Sequence, residues 1–309
     1  MSKAIIIGGA GFIGSNLVQY ILDNNIYSEI VVVDNFSTGK PSNRKDSVKY
    51  YSCNFGEVNL YQDELENASA VFHLAAKARV QPSITDPVSF DYVNVHSTVK
   101  LLKACVDKNV KSFVFSSSSS IYGDTSEFPT PETAPSIPMS PYGLQKLIGE
   151  QYCKLFSEVI KCPNGDFMNT ACLRYFNVYG ENMLNEGSYC LVMGVFDSQK
   201  AKGEPLTICG DGEQRRDFTY VKDVVKANVA AAKYMESNVC KGEIFNIGNG
   251  DNRSINDIAK LYNHEIKYLP ARLEPNKTLA DNSKARKVLN WSPEGNIENW
   301  ITNHLKKYE

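Results

Sequence analysis

Ala4-Ile5-Ile6-Ile7-Gly8-Gly9-Ala10-Gly11-Phe12-Ile13-Gly14 is the stretch on which the fold turns. Four apolar residues suit a buried strand, the glycines break it, and a helical apolar pattern begins near Gly11. At such a corner glycine lets the backbone come close to a pyrophosphate, which rests on the amides and positive end of the helix. The spacing is Gly-x-x-Gly-x-x-Gly rather than Gly-x-Gly-x-x-Gly, so the corner alone is also compatible with a structural turn.

Twenty residues beyond Gly14, Asp34 closes the next apolar run, 30–34. A carboxylate there accepts the ribose hydroxyls of an adenosine and repels a 2′-phosphate, which favours NAD over NADP. Apolar runs at 48–52, 70–74, 112–116 and 170–175 continue the series, with helical patterns starting near Gly11, Asp63, Val88 and Tyr142. This alternation predicts an α/β class protein with a Rossmann doubly wound parallel sheet. After Gly180 the pattern loosens into a loop over 183–189, a helix over 190–202 and a short strand over 206–209. A helix over 223–235, a strand over 243–246 and a last helix over 281–289 follow. The expected division is an NAD-binding domain over 1–176, with a return near 218–248. A smaller C-terminal α/β substrate domain is expected from 177–217 and 249–309.

Composition narrows the partners. The 309 residues carry a net charge of −2, so no basic face calls for nucleic acid. The polar start of the chain runs straight into the first strand, unlike a signal peptide, and no apolar run approaches the ~20 residues of a membrane span. Eight cysteines without a Cys-x-x-Cys pair, and four histidines, argue against a metal site and for reduced thiols in a cytoplasmic protein. Cys190 stands out only because it falls on the substrate side; its ordinary reading is a small buried hydrophobe.

The chemistry gathers around Tyr142-Gly143-Leu144-Gln145-Lys146. Four apart on a helix, Tyr142 and Lys146 share a face, and an ammonium beside a phenol lowers its pKa from ~10. That makes a general acid/base near neutral pH, although a surface pair would show the same spacing. Upstream, the serines 116–120 end a strand and lead into Ile121-Tyr122-Gly123, so a hydroxyl there can share a substrate oxygen with Tyr142.

These motifs resemble the extended short-chain dehydrogenase/reductases, in their nucleotide-sugar epimerase/dehydratase branch. The resemblance runs through almost the whole chain. It includes the Gly8–Gly14 turn, Asp34-Asn35-Phe36-Ser37-Thr38-Gly39, His73-Leu74-Ala75-Ala76, the serine run, Tyr142 to Lys146 and Leu173-Arg174-Tyr175-Phe176-Asn177-Val178-Tyr179-Gly180. Arg216-Asp217-Phe218 and Ala280-Asp281-Asn282-Ser283-Lys284-Ala285 complete it. The resemblance implies Ser118, Tyr142 and Lys146 as catalytic residues. It implies NAD contacts from Gly8, Gly11, Phe12, Ile13, Gly14, Asp34, Asn35, Ser37, Thr38, Gly39, Asn54, Phe55, Leu74, Ala75, Ala76, Asn94, Ser116, Tyr142, Lys146 and Phe176. For substrate it implies Ser83, Ser118, Ser119, Ser120, Tyr142, Asn177, Tyr189, Leu191, Val192, Arg216, Arg272 and Thr278, with Arg216 and Arg272 on the diphosphate. Asn54 stands where the family often has an aspartate, and Ala78 where some members have a lysine. The segment 161–168 looks like an inserted surface loop, and the stretch 271–280 is one residue shorter than the common pattern.

In this branch, dehydratases carry Asp-Glu just after the catalytic hydroxyl and decarboxylases a Glu; here Ser119 and Ser120 stand there. The expectation is therefore C4 epimerisation of a nucleotide sugar, UDP-linked, through a transient 4-keto sugar. The alternatives are a UDP-glucuronate 4-epimerase or another dehydratase or reductase, and, in a different class, an NAD(P)-binding sensor without catalysis. Thr278, where galactose-restricted epimerases often carry a tyrosine, leaves room for an N-acetyl group. The resemblance also implies a homodimer built on helices near 88–105 and 142–156, with Val95, Val99, Leu102 and Val106 as an apolar stripe.

Overall fold

The computed structural model describes residues 2–185, 187 and 190–306. Its first half runs β1 (Lys3–Ile7), α1 (Phe12–Asp23), β2 (Glu29–Val33), β3 (Lys49–Tyr51), β4 (Ala70–His73), α2 (Val80–Thr85) and α3 (Pro87–Asp91). A π-turn over Tyr92–His96 leads into α4 (Ser97–Asp107), then β5 (Ser112–Ser118), α5 (Pro141–Glu158) and β6 (Asn169–Tyr175). The chain then leaves the sheet through β7 (Val178–Tyr179), α6 (Val192–Lys202), β8 (Leu206–Cys209), β9 (Arg215–Arg216) and β10 (Thr219–Tyr220). It returns as α7 (Val221–Ser237) and β11 (Lys241–Ile247), and leaves again as β12 (Arg253–Ser254), α8 (Ile255–Tyr262), β13 (Ile266–Leu269), α9 (Ser283–Leu289) and α10 (Ile297–Leu305).

The expected sheet is there. Seven strands pair in the order β11-β6-β5-β4-β1-β2-β3, every pair parallel. A strand alternates its side chains between two faces, and both faces are apolar because helices cover both. Ala4 and Ile6 face one way, with α1 and α7, against Leu17, Val18 and Val225. Ile5 and Ile7 face the other, with α4 and α5, against Leu101, Leu102 and Phe156. At the rough 25 cal/mol per Å² of apolar area, each fully buried Ile or Leu contributes ~1.5–3 kcal/mol. The smaller lobe has its own core, in which Phe196, Ile208, Ile258, Tyr262 and Ile301 are essentially unexposed.

Some expectations needed correction. The helix near Asp63 is only two 3-10 turns, Val58–Leu60 and Gln62–Leu65, stopped by Asn67 in left-handed backbone (φ 52°). Helices α8 and α10 and strand β13 were not anticipated; β13 pairs in parallel with β8, a partnership that exists only once the lobe is folded. The segment 161–168, expected as a surface loop, is a turn closed by a Lys161–Phe167 bridge and anchored by buried Cys162 and Met168.

Candidate functional site

The site lies along the C-terminal ends of the strands. After β1, Gly8 has φ +85°, and a Cβ there would come within 2.7 Å of the Ala75 amide nitrogen. At Gly14 a Cβ would overlap the Gly8 carbonyl oxygen, so α1 can start this close to the corner only with glycine. Leu74 and Ala75 donate their amides to Ile7 O at 2.9 Å, which brings the loop after β4 beside this corner.

Asp34 is buried and joins two turns: Oδ2 accepts from Ala10 N at 2.9 Å and Oδ1 from Phe36 N at 2.8 Å. The following loop folds back on the glycine corner, with Lys40 N donating to Ala10 O and Gly39 packed on Ala10. Asn35 donates to Asn54 Oδ1 at 2.8 Å and accepts from Ser37 N at 3.0 Å, with Thr38 completing this turn. Phe55 is buried against the His73 ring, 4.8 Å away between centroids. A tight glycine corner with a carboxylate beside it, flanked by Phe12, Ile13 and the half-buried Leu74, Ala75 and Ala76, fits an adenine dinucleotide.

Tyr142 and Lys146 lie on the first turns of α5, which Ser140 caps by accepting from Gly143 N. Lys146 Nζ donates to Ser116 O at 2.7 Å and lies 5.0 Å over the Phe115 ring and 5.8 Å over that of Tyr142. Burial pulls Lys146 down to about 8. Burial raises Tyr142 above its ordinary value, and the Ser118 hydroxyl and the Arg79 charge oppose the rise. Lys146 was expected to lower Tyr142; the counter-charge acting on it is instead Arg79, which belongs to none of the motifs. Arg79 has φ 98°, a conformation a non-glycine side chain adopts at a cost, immediately before α2. Its charge also reaches Cys190 and Arg272.

Ser118 ends β5 and caps a 3-10 turn in which Ser120 donates to its hydroxyl at 2.9 Å, with Ser119 between them. Ser116 Oγ pairs with Tyr175 OH at 3.0 Å. Ser83 is fully buried; its hydroxyl donates to Val80 O and accepts from Tyr142 N at 3.2 Å, so it positions the tyrosine's backbone. Asn94 lies in the π-turn, and its side-chain groups bind Lys77 N, Lys77 O and Gln145 Oε1 at 2.9–3.0 Å. It thus holds the loop after β4 against α5.

On the smaller lobe, Arg216 is buried and its Nη2 meets Glu274 Oε2 at 2.7 Å; the exposed Arg272 approaches the same carboxylate at 3.3 Å. Thr278 Oγ1 accepts from Asp217 N at 3.0 Å and lies 3.5 Å from Asn177 Oδ1. Its hydroxyl is thus engaged within the protein, which leaves only its small size to act on a ligand. Phe176 is buried against Tyr122. Leu191 and Val192 open α6, half-buried. Tyr189 lies outside the described residues. Asp217 accepts from Asn249 N, Gly250 N and Ala280 N at 2.8–3.0 Å.

The glycine corner, Asp34 and the Tyr142–Lys146 helix define a nucleotide-dependent dehydrogenase-type site. The profile of the NAD dependent epimerase/dehydratase family matches residues 4–248, and the chain belongs to that family, with NAD as its cofactor. The chain is similar to the UDP-glucose 4-epimerase of Thermotoga maritima, solved with UDP-glucose: 34% identity, TM-score 0.90, covering 99% of this chain and 98% of that one. It is similar to the UDP-N-acetylglucosamine 4-epimerase of Methanobrevibacter ruminantium, in complex with UDP-N-acetylmuramic acid, at 32% identity and TM-score 0.89 over 99% and 98%. The UDP-glucuronic acid 4-epimerase of Bacillus cereus, solved with UDP-glucuronic acid and NAD, matches at 31% identity and TM-score 0.87 over 99% and 100%.

Proposed function

We propose that this enzyme inverts C4 of a UDP-linked hexose. The observation that carries the reading is the hydroxyl cluster Ser118-Ser119-Ser120 beside Tyr142, where elimination or decarboxylation would call for an acid. Tyr142 takes the proton of the 4-hydroxyl and returns it, while Ser118 shares that oxygen. The glycine corner and Asp34 would hold NAD, which would supply reversible hydride exchange at C4 with no net redox change. Lys146, fixed on Ser116 O, would hold the nicotinamide ribose and keeps an amine near the Tyr142 ring. Arg216, Arg272 and Asn177 hold the diphosphate, a task for which the guanidinium fork is suited. The small Thr278 admits an acetamido group. The domain limits 1–176 with 218–248, against 177–217 with 249–309, belong to the same proposal; the return of the chain to the sheet as β11 supports them.

Arg79 favours a second reading, in which the sugar carries a carboxylate, because its charge reaches the catalytic tyrosine. One experiment serves both: UDP-glucose, UDP-N-acetylglucosamine and UDP-glucuronate are incubated with the protein, without added reductant, and read for the C4 epimer. Absence of any epimer, or a dehydrated product, overturns the proposal. The ratio of kcat/KM among the three substrates, in the wild type and in Thr278→Tyr, reports the sugar.

A homodimer belongs to the same proposal, with a change of surface. Leu102 and Val106 are buried inside the monomer and Val95 and Val99 are half-buried, so the expected stripe packs largely at home. Val88, Tyr92, Leu155 and Val159 are exposed on the same helices or just beyond them and are the better candidates. Light scattering at micromolar concentration decides; a monomeric mass rejects the dimer. Among the described residues no helix is long and apolar enough to cross a membrane.

A further inference from the structure

The face of α5 that carries Tyr142 and Lys146 bears a third ionisable side chain one turn beyond Lys146, Glu150. Glu150 and Arg174 of β6 are each 2% exposed. Arg174 donates Nε to Oε1 at 2.9 Å and Nη2 to Oε2 at 2.7 Å, and Ser117 Oγ donates to Oε1 at 2.6 Å. Ser117 and Arg174 are register partners, so one carboxylate grips the ends of both β5 and β6. The residues flanking Ser117 on β5 supply the Ser116 carbonyl that receives Lys146 and the Ser118 hydroxyl that meets Tyr142. A buried ion pair is weak evidence for stability, because apolar side chains of similar volume serve as well. Its position behind the Tyr142–Lys146 pair gives it a different use.

We propose that Glu150 is a positioning residue for the reaction: through Ser117 and Arg174 it fixes α5 against the end of β5, and its negative charge keeps Lys146 an ammonium. The inference rests on the reading of Tyr142 and Lys146 given above. The ionisable groups around Lys146 are Tyr142, Glu150 and Cys153 on α5 and His73 on β4, with Arg174 and Cys172 of β6 behind Glu150. His73 is neutral near pH 7, since burial takes it down to about 3. Glu150 is the carboxylate of this group, and after Cys153 it opposes the burial that pulls Lys146 down to about 8.

The test is the pH profile of kcat for the NAD-loaded full-length chain, on the UDP-sugar the wild type turns over best. Glu150→Gln removes the charge: the alkaline limb should move down by about one pH unit, with KM unchanged. Glu150→Asp keeps the charge but shortens the reach: kcat should fall ~10–100-fold by misplacement while the limb stays where it was. Glu150→Leu/Arg174→Met leaves no buried charge unpaired and guards against simple unfolding; it should bind NAD as the wild type does, by protein fluorescence, and show a smaller shift of the limb, because the Arg174 charge leaves with that of Glu150. A wild-type limb in folded Glu150→Gln, or an equal shift in Glu150→Asp, overturns the proposal. Failure of the catalytic reading would look different: Tyr142→Phe would then turn over like the wild type.

Discussion

At the scale of the residue, the site is built from side chains that each serve two neighbours. Tyr142 is the clearest. Burial raises its pKa, so the phenol keeps its own proton and cannot take the substrate's unless Ser118 and a nearby positive charge favour the phenolate. Tyr142→Phe should keep the fold and NAD binding, because its backbone contact to Ser83 uses the amide, and should lower turnover by roughly 10²–10⁴. Steady-state kinetics on the epimerised sugar check this; turnover at the wild-type level would remove the tyrosine from the mechanism. Asp34 also serves twice, since its carboxylate spans Ala10 N and Phe36 N. Tighter binding of NAD than NADP by calorimetry is the expected outcome, and equal affinities would show that Asp34 does not select. The Tyr142–Lys146 pair was legible from spacing because a helix puts i and i+4 together. Arg79 was not, since its approach to Tyr142 depends on a left-handed turn that arginine seldom adopts. Asn94 was legible as a site residue but not in kind: what it holds is the loop at Lys77 and the Gln145 side chain.

At the scale of the element, the glycine corner and the strand ends were readable because period and punctuation agree there. Helix α8 carried a signal that went unread: Ser254 and Asp257 form a capping box, a Ser-x-x-Asp pattern before an apolar run. The stretch around Asp63 misled for the opposite reason, since an acidic first turn marks a helix start but only four residues, Gln62–Leu65, follow it. Helix α1 yields a prediction. Gly14→Ala places a methyl on the Gly8 carbonyl, so α1 must shift away from the corner. The variant should lose ~1–3 kcal/mol in urea denaturation, the cost of overpacking, and bind NAD at least tenfold more weakly. Wild-type affinity in a folded Gly14→Ala protein would show that the close approach is not needed for the cofactor.

At the scale of the whole molecule, one buried side chain ties stability to pH. His73 is 1% exposed, donates or accepts one hydrogen bond with Thr98 through Nε2, and its Nδ1 has no partner among the described residues. Burial first, and the charge of Lys146 second, lower its pKa from 6.5 to about 3. The unfolded chain binds a proton at this ring below about 6.5 while the folded chain does not, so the contribution is complete above 6.5 and is lost as the pH falls toward 3. The urea midpoint should therefore drop between pH 7 and pH 5, and His73→Phe should flatten that drop. An equal drop in the variant would assign it to other groups.

The meeting of three backbone amides on Asp217 bears on how the polypeptide can be divided. Those amides come from the adjacent Asn249 and Gly250 and from Ala280, all distant from Asp217 along the chain, and the backbone leaves the sheet after β6, returns through α7 to β11, and leaves it again. No single scission frees one lobe from the other. A polypeptide ended at Gly248 retains every strand of the sheet yet loses all three amides that hold the Asp217 carboxylate. Limited proteolysis should accordingly nick the protein without releasing a folded half, and the two lobes should melt together.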